Sequence, residues 1–370
     1  MQRYLAENIK ADLSKKMVFL AGPRQVGKTT LAKNILSNQG AYLNWDVDSD
    51  RALLLQRQIP TTDLIVLDEI HKYRQWRNFL KGLYDGSRER KLHILVTGSA
   101  RLDYYRRGGD SLQGRYYFYR LHPLSLAELS DKSSNTLQQL LSLGGFPEPF
   151  FSQSQREASR WSLDYRTRLI REDLRDLEKF EDFGSIELMQ QRLPALVGSP
   201  LSINALREDL QVSHHSVKRW LAALERLYAI FRIAPFGAPR IRAVKKEQKH
   251  YHFDWTLIAN KALRFENLVA CALLKWVDWQ RDIEGKEYEL RYFRDVDKRE
   301  VDFVIVHQNE PYMFIECKWS DTAASPGLRY LAQRFPKVPA WQIAALGTKD
   351  VTTLDGIRLA PAVIFLSTLV

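Results

Sequence analysis

Residues 17–30 read MVFLAGPRQVGKTT: five apolar residues, then Gly22, four intervening residues, and Gly27-Lys28-Thr29. The spacing is G-x-x-x-x-G-K-[ST], and it stands between a strand-sized apolar run and a helical pattern over Thr29–Ser37, the setting that motif requires. Glycines let the backbone curl so that amide N–H groups converge on a phosphate at a helix N-terminus. The segment Gly22, Pro23, Arg24, Gln25, Val26, Gly27, Lys28, Thr29 and Thr30 is therefore the expected nucleotide loop. Lys28 is placed for the β- and γ-phosphates, and the Thr29 hydroxyl for a Mg²⁺ coordination position. ATP and Mg²⁺ are the expected ligands.

Downstream, Leu64-Ile65-Val66-Leu67 is a second apolar run, ending in Asp68-Glu69. In such a pair the first acid holds Mg²⁺ through water and the second serves as general base toward the attacking water. That base favours an ATPase over a nucleoside kinase. A third run, Ile94-Leu95-Val96, ends in Thr97-Gly98-Ser99, and Thr97 is the expected polar contact to the γ-phosphate. Arg101, Arg106, Arg107 and Arg115 follow, and Arg115 is the chosen arginine finger toward a neighbouring subunit.

Around these motifs, apolar runs at Met17–Ala21, Tyr42–Trp45, Leu64–Leu67, Leu92–Val96 and Tyr116–Leu121 alternate with helical patterns. Alternation of this kind predicts an α/β domain with a parallel sheet covered on both faces, here residues 1–150. Residues 151–260 read as helical. Leu201–Leu210, a turn at Gln211–Ser213, and Ser216–Leu227 form a helix–turn–helix, followed by two strands and a basic loop. That is the outline of a winged helix. Its DNA-facing cations would be Lys218 and Arg219 on the second helix and Arg240, Arg242, Lys245, Lys246 and Lys249 on the loop. Residues 261–370 read as a small mixed α/β domain, with a helix over Phe265–Val277 and strands at Glu289–Phe293, Asp302–Val306, Tyr312–Lys318, Trp341–Ala345 and Ala362–Leu366.

Composition agrees with a globular enzyme or binding protein. The 370 residues suggest two or three domains, 45% are hydrophobic, and no apolar run approaches a membrane span. Two cysteines, Cys271 and Cys317, leave no disulfide framework and no cysteine zinc site. A cytoplasmic location fits. The formal charge is +11, divided as +7 over residues 1–150, +4 over 151–260 and zero over 261–370. That excess favours a polyanionic partner, with a solvated basic surface as the plainer explanation.

The ordered segments GPRQVGKTT, LIVLDEIHKYRQW, ILVTGSAR, LQGRYYFYRLHPLSLAEL and LGGFPEP resemble a prokaryotic family of AAA-type ATPases with a C-terminal restriction-endonuclease-like domain. The likeness continues through Phe265-Glu266-Asn267, Glu300-Val301-Asp302-Phe303 and Ile315-Glu316-Cys317-Lys318. It implies an AAA+ core, a winged-helix element and a nuclease-like domain. On its own chemistry, Asp302 lies 14 residues before Glu316-Cys317-Lys318, a D…E-x-K pattern. Glu316 and Lys318 share one face of a strand, so Asp302 and Glu316 would hold a Mg²⁺ ion and Lys318 would orient water. Glu266, on the preceding helix, is a further candidate ligand. The chain is thus expected to be a homo-oligomeric ATPase, in a ring or another assembly, that moves along or remodels DNA, duplex or branched. Two other readings stand beside it: an ATP-switched protein-interaction module, and an ATP-regulated metal-dependent nuclease.

Overall fold

A computed structural model describes residues 2–36, 40–87, 92–98, 112–175, 182–237 and 247–370. These divide into two compact units, Met1–His122 and Pro123–Val370.

Among the described residues, the first unit holds a five-stranded sheet of β1 (Met17–Ala21), β2 (Ala41–Asn44), β3 (Leu64–Asp68), β4 (His93–Thr97) and β5 (Tyr116–Arg120). The order is β2-β3-β4-β1-β5, with every pairing parallel. Side chains alternate faces along a strand. Met17, Phe19, Ile65, Leu67, Ile94 and Val96 accordingly form one core, with Trp76, Phe79 and Leu80 of the helix Trp76–Ser87. Val18, Leu20, Val66 and Leu95 are buried on the other face, where the helices Ala6–Leu13 and Lys28–Ile35 contact the sheet. With both faces covered, the runs are continuously apolar rather than alternating, which is why they were readable as buried parallel strands.

The second unit begins 28 residues before the boundary expected from the sequence, since residues 123–150 pack within it. Lys275 is fully buried and ion-paired with Glu128, and its Nζ donates to Ser125 Oγ at 2.8 Å. Trp255 Nε1 donates to Leu140 O at 2.7 Å. Polar groups buried this deeply are costly to separate from their partners, so the segment is tied to its unit.

Its eight strands, among the described residues, follow the order β12-β13-β11-β10-β9-β8-β6-β7. These are β6 (Ile230–Pro235), β7 (Lys249–His252), β8 (Tyr288–Arg294), β9 (Glu300–His307), β10 (Glu310–Lys318), β11 (Ala340–Ala344), β12 (Val351–Thr352) and β13 (Ile357–Pro361). The helices Ile203–Leu210 and His214–Arg226 lead into the antiparallel pair β6/β7, and β6 pairs with β8 through Ala234 and Pro235. The basic middle piece and the C-terminal piece therefore share one sheet. The helix Lys261–Asp282 packs on β7, β8 and β10. The helix Pro326–Arg334 sits against β9 so closely that a Cβ at Gly327 would lie 2.1 Å from Glu300 O.

One expected strand is a helix. Ala362–Leu366 is helical, and the strand precedes it at Ile357–Pro361. Ala362, Phe365 and Leu366 are the buried members of the run, and i, i+3, i+4 is helical spacing. Among the described residues no helix is long and apolar enough to cross a membrane.

His250 on β7 is wholly buried, and its Nε2–H donates to Leu193 O at 2.8 Å. Burial pulls its pKa down to about 4. A depressed histidine stays neutral when folded, so acid favours the unfolded chain, and stability is lost as pH falls below the unfolded pKa of about 6.5. Relative to His250→Gln, which cannot titrate, the wild-type protein is expected to lose on the order of 2 kcal/mol between pH 7 and pH 5. Urea melts at the two pH values check this; equal changes in both proteins would show that His250 titrates alike in the folded and unfolded chain, so that burial does not depress its pKa.

Candidate functional site

The carboxyl ends of β1, β2, β3 and β4 lie side by side, with Asn44, Asp68 and Thr97 in adjacent register. In parallel α/β sheets that edge is where ligands bind. From β1 the chain turns through Gly22, at φ +146°. A Cβ there would lie 2.3 Å from Leu121 O, so the close approach of the loop to the chain after β5 excludes any side chain. Gln25 and Gly27 also have positive φ, and Gly27 leads directly into the helix Lys28–Ile35. Arg3 braces the loop from outside the motif, its Nη1 donating to Val26 O at 2.7 Å. No pattern in the sequence marked it.

Lys28 is buried, and its ammonium donates to Gly22 O at 3.0 Å and Pro23 O at 2.6 Å. The Asp68 carboxylate collects three hydroxyls. Thr29 Oγ1 and Tyr42 OH donate to Oδ2 at 2.8 and 2.6 Å, and Thr97 Oγ1 donates to Oδ1 at 2.6 Å. Thr29, Asp68 and Thr97 thus meet as expected. Tyr42, at the neighbouring strand, is an addition that the sequence could disclose only once β2 was known to lie beside β3. Burial, then the bond to Asp68, raises its pKa, so the phenol stays protonated and a donor.

Glu69 sits at the turn just past β3 with φ +55°, and its N–H donates to Thr97 O at 2.9 Å. Among the described residues its buried Oε2 has no hydrogen-bond partner; it lies 3.5 Å from His71 Nε2 and 3.7 Å from Lys72 Nζ. Burial raises the pKa of this carboxyl, against the opposing pull of Lys72 and Lys28. A buried acceptor left open beside Asp68 is suited to hold a water, and the oxygens of Thr29 and Asp68 are the hard donors Mg²⁺ takes. These residues fit ATP with Mg²⁺. Arg115 is bound in its own unit, with Nε and Nη2 donating to the two oxygens of Asp85 at 2.9 and 3.2 Å. Arg101, Arg106 and Arg107 lie outside the described residues.

The second unit brings Glu266, Asp302, Glu316 and Lys318 together. Cys317 N–H donates to Asp302 Oδ2 at 2.8 Å, Asp302 N–H reaches Glu316 Oε2 at 3.4 Å, and Lys318 Nζ donates to Glu316 Oε1 at 2.8 Å. Burial first, then the mutual repulsion of the acids, raises the pKa of Glu266 and Glu316, and burial raises that of Asp302. Among the described residues no three His, Cys, Asp or Glu side chains are grouped so as to hold a metal ion.

Lys249 corrects the sequence reading. Expected on an exposed basic loop, it lies within β7 with its side chain 1% exposed, 2.5 Å from Glu300 and 3.7 Å from Glu266. Its neighbour two residues on, Tyr251, donates to Glu266 Oε1 at 2.8 Å. The strand turns this face inward, toward the helix Lys261–Asp282. Lys218 and Arg219 are exposed on the helix His214–Arg226, as expected; Arg240, Arg242, Lys245 and Lys246 lie outside the described residues.

Three family models match successive parts of the chain. Residues 14–130 match an AAA domain, residues 134–268 a domain of unknown function (DUF8612), and residues 263–363 a second domain of unknown function (DUF4143). Uncharacterized proteins of Mycobacterium tuberculosis (Rv2008c) and Mycobacterium bovis (Mb2031c) are each 25% identical over 247 residues. The match covers 65% of this chain and 55% of each of them, so the chain spans about half the length of the curated relatives it matches. Among solved structures, a Thermotoga maritima RuvB variant is 17% identical, covering 61% of this chain and 89% of that one at a TM-score of 0.32. The Aeropyrum pernix ORC1 protein in complex with DNA is 14% identical, covering 72% and 90% at a TM-score of 0.32. The AAA-domain match spans the Gly22–Thr30 loop, Asp68-Glu69 and Thr97.

Proposed function

We propose that the chain hydrolyses ATP at the Gly22–Thr30 loop and uses the energy, as a homo-oligomer, to move along or remodel DNA. The observation that carries the hydrolytic part is the buried Glu69 Oε2, which accepts no hydrogen bond among the described residues, beside the Thr29–Asp68–Thr97 network. Lys28 takes the β- and γ-phosphates, and Thr29 and Asp68 hold Mg²⁺, which when bound offsets phosphate charge. Glu69 removes a proton from water as its oxygen attacks the γ-phosphorus; the bond to the β–γ bridging oxygen breaks and ADP leaves. Tyr42 and Thr97 keep Asp68 oriented. Arg115 is the described candidate for an arginine acting across a subunit boundary, which would require it to leave Asp85.

DNA as the partner is supported by the charge surplus on the first 260 residues and by the exposed Lys218 and Arg219 at the start of the helix His214–Arg226. Contacts of this kind are to phosphates, so binding weakens steeply with salt and carries no sequence preference. The test reverses the charge of Lys245 and Lys246 together, each to Glu. Fluorescence anisotropy over a salt series is expected to show weaker binding and a log–log salt slope smaller by about 2. Unchanged affinity at moderate salt would remove this loop from the DNA surface.

A further inference from the structure

The D…E-x-K pattern implies a divalent metal at Asp302 and Glu316, and the side chains around them do not fit one. Glu266 Oε1 receives Tyr251 OH and lies by Lys249; Glu316 Oε1 receives Lys318; Glu316 Oε2 and Asp302 Oδ2 receive backbone N–H groups. A Mg²⁺ or Mn²⁺ site needs carboxylate oxygens turned to a common point and free of competing cations. Here the cations are already present and come from the chain.

We infer that this carboxylate cluster is compensated in part from within by the buried Lys249, with Lys318 at its mouth, and is a charge-paired structural centre rather than a metal-dependent nuclease site. The two lysines differ in what they can do. Lys318 is one-third exposed and lies at the end of β10, where its side chain has solvent to swing into. Lys249 has none. It is held in β7, whose backbone pairs with β6 from Ile230↔His252 to Ile233↔Lys249, and its side chain is enclosed by Glu266, Glu300 and the ring of Tyr292, whose centroid is 5.3 Å from Nζ. Burial pulls the lysine pKa down, but Glu266, Asp302 and Glu300 together outweigh it and hold the ammonium charged. An ion entering beside Asp302 would meet that fixed charge across low-dielectric surroundings, and expelling the lysine would strip Glu300 and Glu266 of their partner. The positions that matter, 249 and 300, are outside the D…E-x-K pattern.

The probe is Mn²⁺, counted by loss of its free electron-paramagnetic-resonance signal on titration into nucleotide-free, full-length protein. Wild-type protein and Asp302→Asn are expected to take up Mn²⁺ alike, while Lys249→Gln, with its carboxylates uncompensated, gains one further Mn²⁺ per chain. The double variant Lys249→Gln/Asp302→Asn loses that gain. Wild-type protein binding one more Mn²⁺ than Asp302→Asn would overturn the inference, and this arm stands even where Lys249→Gln fails to fold. A folded Lys249→Gln protein that gains no Mn²⁺ would overturn it as well.

Discussion

Lys28→Ala is expected to weaken ATP binding by tens- to thousands-fold, and to abolish turnover with it. The Lys28 ammonium is buried at the centre of the loop on the Gly22 and Pro23 carbonyls, the position from which it meets phosphate oxygens. Truncating one member of a desolvated charge pair costs about 2–5 kcal/mol, enough to lower affinity by tens- to thousands-fold. The loop backbone is set by Gly22, Gln25 and Gly27 rather than by the lysine, so the variant should fold. Titration of a fluorescent ATP analogue, with a thermal melt as control, measures the effect. Normal binding by a folded Lys28→Ala protein would refute the nucleotide site.

Glu69→Gln separates binding from chemistry. The amide keeps the volume of the side chain and cannot take a proton, so ATP should bind as before while hydrolysis falls about 10²- to 10⁴-fold. The protein should then accumulate with ATP bound, seen as undegraded nucleotide retained through gel filtration. The contrast with Lys28→Ala is the useful part: one variant loses the ligand, the other keeps it. Turnover within a few-fold of wild type would mean that Glu69 is not the base and that its buried oxygen serves another purpose.

What the sequence disclosed follows from where each signal lies along the chain. The loop, Asp68-Glu69 and Thr97 are short contiguous signals at the ends of continuously apolar strands, and the sheet brings those ends together. Tyr42 and Arg3 act through neighbours far away in sequence, so no local pattern marks them. In the second unit, Asp302, Glu316 and Lys318 were legible because alternation along a strand fixes which residues share a face. Lys249 was not. The strand β7 is buried on both faces, so Lys249 at its start lies inward where a run of basic residues suggested solvent. At Ala362–Leu366, five apolar residues carry no period long enough to tell strand from helix, and Pro361 ends the strand one residue earlier. The boundary at His122 rather than near 150 depends on buried polar contacts such as Lys275 with Glu128, which join residues far apart in the chain.

The most direct test of the proposed motor is steady-state ATP hydrolysis by purified protein, alone and with duplex, single-stranded and branched DNA, with Glu69→Gln as the blank. The account predicts turnover that vanishes in the blank and rises several-fold or more with at least one form of DNA. Turnover indifferent to every form would contradict it, leaving an ATPase whose partner is a protein.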